Sequence, residues 1–142
     1  MEACNMKRLE LFEKDPIDWK QGEGCSYGTL IKNLISFRKA NPALANGQWG
    51  ARMVKVETDK PEQIFAWARQ KDGNKVVGFF NFTGAPVTAK LADGLAAGSY
   101  KEFGSGAAVQ IKAGDSLTVP ANGYRLLATT SAQSAPPIMG GE

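Results

Sequence analysis

The sequence predicts a mainly β fold: an antiparallel Greek-key β-sandwich of about eight strands, preceded by an irregular arm and one amphipathic α-helix. Three observations carry this prediction. The hydrophobic period changes from 3.6 to 2 near Pro42, so side chains stop lining one helical stripe and begin to alternate. Two β-rich runs flank Asp72-Gly73-Asn74, and an Asp-Gly step between such runs is a strong hairpin signal. Short apolar runs then recur at regular spacing, separated by turns drawn from 16 glycines and 7 prolines.

The elements follow in order. Residues 1–26 read as irregular, because Pro16, Gly22 and Gly24 break any pattern. In the next stretch Tyr27, Leu30, Ile31, Leu34 and Phe37 recur at helical spacing and form one apolar stripe. Ser26 is placed to cap this helix, and Lys39 in the last turn suits its dipole. Asn41-Pro42 ends it, since a residue before proline is pushed out of the α region. Strands are expected at 52–57, 63–71, 75–83, 86–91, 99–103, 108–112, 116–119 and 124–129. The runs around Phe65, Trp67, Val77 and Phe79 are apolar on both faces, so that sheet needs cover on both sides. The domain reading is therefore 1–45 as an arm and helix, 46–130 as the sandwich, and 131–142 as a disordered, proline-bearing tail.

Composition narrows the function classes. Apolar residues make up 43% of the chain and charged residues 22%, enough to pack a core. The net charge of +3 is scattered, without a basic cluster interleaved with aromatics, so nucleic acid is not an expected partner. No apolar run nears the roughly 20 residues that span a bilayer, so no membrane partner is expected either. The first residues show no signal-peptide core, which leaves the compartment unknown. There is no histidine, which excludes Ser-His-Asp, Cys-His and His-bearing zinc sites. No metal or cofactor is expected. Cys4 and Cys25 could pair in an oxidising compartment, and two free cysteines are the plainer reading.

Four stretches, read together, resemble a known family. KRLELFEKDPIDW (7–19), with Glu2-Ala3 before it, resembles the segment after the eighth barrel strand of alpha-amylase family (family 13) glycoside hydrolases. YGTLIKNLISFRKANPAL (27–44) resembles the last barrel helix of that family. IFAWARQKDGNKVVGFFNFT (64–83) resembles the opening hairpin of its C-terminal β-sandwich, and LTVPANGYRLLAT (117–129) the closing strand. They occur in the family's order and cover about half the chain. The resemblance implies residues 1–45 as the end of a (β/α)8 barrel, and a parent enzyme that hydrolyses α-1,4 bonds of starch-like glucans with retention. The family's catalytic Asp, Glu and Asp lie on earlier barrel strands, and a barrel needs about 250 residues. No catalytic residue is therefore assigned in this chain, which is not expected to be an enzyme on its own.

The candidate site residues are correspondingly few. Paired carboxylates such as Glu10 and Glu13, or Asp15 and Asp18, read as solvated loop charges rather than the acid and nucleophile of a glycosidase. Gly104-Ser105-Gly106 opens like a dinucleotide loop but lacks a βαβ setting. Sugar rings stack on exposed aromatic faces, so Trp49, Trp19 and Tyr100 are the carbohydrate-binding candidates. Trp49 lies between glycines and is expected to be exposed; Trp19 falls on the rim that the resemblance implies; Trp67, inside a strand, reads as core. Asn81-Phe82-Thr83 matches a glycosylation sequon by accident of strand sequence. Two roles are expected: a structural one, covering a catalytic barrel, or weak starch and maltooligosaccharide binding through aromatics. The helix stripe, if left without a barrel, would dock on its own sandwich or pair two chains into a homodimer.

Overall fold

The computed structural model describes Arg8, residues 12–16 and residues 27–129. Ser26, Trp19, Cys4, Cys25, Glu10, Asp18 and the 131–142 tail fall outside the described residues. The chain divides into two compact units, Met1–Arg38 and Lys39–Glu142.

The first unit holds most of the helix α1, Tyr27–Ala40. Leu30, Ile31, Leu34 and Phe37 are half-buried, Tyr27 is exposed, and no residue of the helix is fully buried. The stripe read from the sequence is thus the less exposed side of the helix. Asn41 leaves the helix with φ −119° and ψ 99°, the extended backbone that Pro42 imposes.

The second unit is the sandwich. Eight strands run β1 (Val54–Lys55), β2 (Ile64–Lys71), β3 (Asn74–Asn81), β4 (Val87–Lys90), β5 (Gly98–Glu102), β6 (Ala108–Ile111), β7 (Ser116–Val119) and β8 (Tyr124–Ala128). One sheet has six strands in the order β1-β2-β3-β8-β5-β6, and the other pairs β4 with β7. Every pairing is antiparallel. The chain crosses to the small sheet for β4, returns for β5 and β6, crosses again for β7 and comes back to lay β8 between β3 and β5, the long-range pairing of a Greek key. The expected strands all appear, 116–119 with the same bounds, 99–103 shifted by one residue to 98–102 and the others shorter; the first shrinks from 52–57 to two residues.

β2 and β3 are joined by the two-residue turn expected from Asp72-Gly73. Both residues have positive φ, 49° and 80°, the type I′ turn whose twist matches a hairpin. Lys71 then pairs with Asn74, and the register runs without a slip to Ile64 opposite Asn81. Between the sheets lie Val56, Ile64, Ala66, Val77, Phe79, Tyr100, Ile111 and Leu127, met from the small sheet by Val87, Ala89, Leu117 and Val119. A thin core of this kind leaves little slack, so each apolar methyl removed from water counts.

Candidate functional site

The register fixes what lies on the other face of the large sheet. Phe65, Phe80 and Tyr124 stand opposite one another across β2, β3 and β8. Trp67, Gly78 and Leu126 form the next row, and Arg69, Val76 and Ala128 the row after that. Side chains two apart share a face, so these rows, with Lys71 and Asn74 at the turn, make one outer surface. It is largely apolar, as the doubly apolar strands required.

The turn end of this surface is covered by a strap, residues 41–51. It contains two short 3-10 turns, Pro42–Leu44 and Gly47–Trp49, which the sequence reading did not foresee. The first of them packs against β2 and β3. Side chains of the outer face bond the strap down. Asn74 accepts a hydrogen bond from the Ala43 amide at 3.0 Å and donates to the Asn41 side-chain oxygen at 2.9 Å. Arg69 donates to the carbonyls of Ala51 at 2.7 Å and Ala45 at 3.3 Å. The Lys71 ammonium donates to the Trp49 carbonyl. Gly50 must be glycine, because a Cβ there would sit 1.9 Å from the Ala45 carbonyl oxygen. The strap therefore supplies part of the second cover that the hairpin needs.

Among the described residues of this unit, no comparable strap is bonded to the opposite end of the surface. Phe65 and Tyr124 are each 38% exposed, with Phe80 between them. The rings are 6.3 and 6.2 Å apart, tilted by 36° and 32°, a continuous aromatic row over three strands. Trp67 flanks it, half-buried on this outer face rather than in the core where the sequence reading put it. Its indole lies on Gly78, whose missing side chain makes the room: a Cβ would fall 2.7 Å from the ring. Phe82 follows, 76% exposed.

The sequence-predicted sugar-binding aromatics do not come together. Trp49 is 67% exposed on the strap, as its glycine-flanked setting suggests. Trp19 lies outside the described residues. Tyr100 is 3% exposed and belongs to the core. Its hydroxyl donates toward the carbonyls of Ala96 at 2.8 Å and Ala97 at 3.2 Å, and burial pushes its pKa up to about 12. Tyr100 thus offers no face to a ligand, because strand alternation turns it inward.

Polar groups in the sandwich serve the fold. The Asn81 amide nitrogen reaches the carbonyls of Ala85, Val119 and Pro120, while its oxygen accepts from Thr83. This buried asparagine ties the end of β3 to the end of β7. Arg125 and Glu102 pair at 2.5 Å, and that bond holds the Glu102 carboxyl below its ordinary pKa. Glu13 is exposed. Among the described residues no three acidic, Cys or His groups stand where they could share a metal.

The family described as the alpha amylase C-terminal all-beta domain matches residues 56–136, more than half of the chain. The chain belongs to this family. No curated protein matches it in sequence. Solved structures share the fold of this alpha-amylase domain. CldA, described as the first cyclomaltodextrin glucanotransferase with a three-domain ABC distribution, aligns with a TM-score of 0.62 at 22% identity. It covers 82% of this chain and 24% of its own. The noncanonic maltogenic alpha-amylase AmyB from Thermotoga neapolitana aligns at 0.69 and 15% identity, over 89% of this chain and 30% of its own. AmyP, solved in complex with maltose, aligns at 0.59 and 15% identity, over 81% and 22%. The alpha-amylase C-terminal domain chain thus spans less than a third of each of these proteins.

Proposed function

We propose that this chain is the non-catalytic C-terminal part of an alpha-amylase-type glycoside hydrolase acting on α-glucans such as starch, with retention, and that it covers and stabilises the catalytic barrel. Residues 1–40 supply the end of that barrel and its last helix. The bonds from Asn41 and Ala43 to the hairpin support counting the strap with the sandwich. The observation that carries the reading is the aromatic row Phe65–Phe80–Tyr124, left part-exposed on a sheet face whose other end is already strapped. Apolar surface of this kind favours a protein neighbour, because each ring removed from water contributes about 1.5–3 kcal/mol when fully buried.

The test uses a full-length enzyme carrying this domain. Phe80→Glu together with Tyr124→Glu should speed thermal inactivation of the barrel several-fold while leaving turnover of short maltooligosaccharides at 25 °C unchanged. An enzyme whose inactivation half-life is unaltered by both charges would refute the covering role.

A further inference from the structure

We propose that Asn46 is a modification site, whose side chain loses ammonia to the Gly47 amide so that the strap ages into an aspartyl or isoaspartyl form. A main-chain nitrogen attacks the side-chain carbonyl carbon of the asparagine before it and closes a five-membered succinimide ring. Glycine after the asparagine favours this most, because it has no side chain to block the approach and the widest backbone freedom. The chain has four steps of this kind, Asn46-Gly47, Asp72-Gly73, Asp93-Gly94 and Asn122-Gly123. Their surroundings separate them. The Asn46 side chain is exposed and caps nothing, and among the described residues the Gly47 amide has no acceptor. No heavy atom lies within 4 Å of where a Gly47 Cβ would stand, so hydroxide and water reach the peptide. Ring closure needs a rotation about the Asn46 Cα–C bond from its ψ of 151°. The rotation breaks the 3.2 Å bond from the Trp49 amide to the Asn46 carbonyl, which is at the long end of the hydrogen-bond range.

The other three steps are held. The Gly123 amide donates to the Pro120 carbonyl at 3.2 Å, the Gly123 carbonyl accepts from the Asn81 amide at 2.9 Å, and the Asn122 amide donates to the Thr83 carbonyl at 2.9 Å. A Cβ on Gly123 would fall 2.8 Å from the Pro120 ring, so that peptide has no room to turn. Asp72 and Asp93 carry carboxylates, whose charge repels the attacking nitrogen, and Asp93 already accepts from the Leu95 amide at 2.9 Å. At Asn46 hydroxide removes the Gly47 amide proton, the nitrogen bonds to Cγ, and the Cγ–Nδ2 bond breaks with ammonia leaving. Water then opens the ring, and the nitrogen regains its proton. Hydroxyl added at Cγ restores the ordinary main chain with an aspartate. Hydroxyl added at the main-chain carbonyl carbon gives isoaspartate, in which the main chain runs through Cβ and Cγ. Each form adds one negative charge, which takes the formal net charge from +3 to +2. The isoaspartyl form also lengthens the main chain by one atom between Ala45 and Trp49, whose carbonyls Arg69 and Lys71 hold. A longer segment between two held points no longer matches both cations, so the age of the chain sets the grip of the strap on β2.

The experiment incubates the whole folded chain at 37 °C and pH 9 and follows it by tryptic mass mapping. Peptide 40–52 should gain the mass step from amide to acid, placed at Asn46 by fragmentation. Peptide 113–125, which carries Asn122, should react several-fold more slowly. In guanidinium, where the bonds around Asn122 are gone, the two should react alike. An isoaspartyl methyltransferase with labelled S-adenosylmethionine should mark peptide 40–52 first, and Asn46→Ala should abolish that mark. Asn46→Asp supplies the charge with the main chain unaltered, and its thermal midpoint should stay within about 2 °C of the fresh chain, as for exposed residues generally. The isoaspartyl fraction, separated by its charge and its methylation, should melt several degrees lower. A folded chain unchanged at Asn46 over a time that converts it in guanidinium overturns the proposal, as does reaction at Asn122 as fast as at Asn46. An isoaspartyl chain that melts with the fresh one overturns the effect on the strap and leaves the site standing.

Discussion

Replacing Asn74 by alanine tests the strap through bonds that can be counted. Asn74 is 2% exposed, and its amide accepts from the Ala43 nitrogen and donates to the Asn41 oxygen, both within 3.0 Å. Each net hydrogen bond contributes about 1 kcal/mol, and leaving the buried Ala43 amide without this acceptor costs about 1–3 kcal/mol more. The sum is about 3–5 kcal/mol. In a unit of this size 1 kcal/mol moves the thermal midpoint by roughly 4–8 °C, so a fall of about 12–40 °C is expected. The Asp72-Gly73 turn keeps its own geometry, so the loss belongs to the strap and not to the hairpin. Urea unfolding followed by near-ultraviolet circular dichroism measures it, with Asn41→Ala and the double variant completing a cycle. The two singles should be non-additive, because they share one bond. A loss below about 1 kcal/mol with an additive cycle would refute the clamp.

Further predictions follow from single contacts. Gly78→Ala should destabilise the sandwich by about 1–3 kcal/mol and blue- or red-shift the Trp67 emission, since its methyl would occupy the ring's place; an unshifted spectrum with full stability would contradict the packing. Tyr100 keeps its proton in the folded chain until about pH 12, whereas the unfolded chain loses it near pH 10. Its contribution is therefore complete below pH 10 and lost between pH 10 and 12, with a slope up to about 1.4 kcal/mol per pH unit; Tyr100→Phe should be less stable at neutral pH but should show a flatter alkaline limb. Folded protein from a secretory host should carry no glycan on Asn81, because the Asn81 nitrogen is fully engaged with three carbonyls; intact-mass measurement of a folded, glycosylated species would show otherwise.

Much of the fold was legible because its signals are local. The stripe from Tyr27 to Phe37, the Asn41-Pro42 stop and the Asp72-Gly73 turn each fix backbone angles within a few residues. The doubly apolar strands announced a second layer, yet their own sequence could not say what it was. The strap was missed because its bonds join positions more than 17 residues apart: Arg69 to Ala51, Asn74 to Asn41. Gly47, Gly50 and the run Asn41–Leu44 were its available signals; the glycines read as a loop around Trp49, and Asn41–Leu44 as the end of the helix. Tyr100 was misjudged among the candidate aromatics because a lone tyrosine in a short polar strand shows too little alternation to reveal which way it faces. Gly78 lies opposite Trp67 in the register, so the displacement of that indole to the outer face could be recognised only after the hairpin was paired.

The strap also means that the boundary of family likeness and the boundary of the folding module do not coincide. The matched segment opens at residue 56, within the sandwich's first edge, yet Val76 and Asn74 on the outer face are shut off from solvent and sit where the strap is bonded. A gene trimmed to the matched segment would leave a valine and a polar amide bare, and would strip Arg69 and Lys71 of the carbonyls they hold. Transplanting the domain between enzymes, by recombination or by design, is therefore expected to succeed at cuts before Asn41 and to fail at cuts after Ala51. The heritable unit is longer than the recognisable one by a piece that looks, in sequence, like a linker.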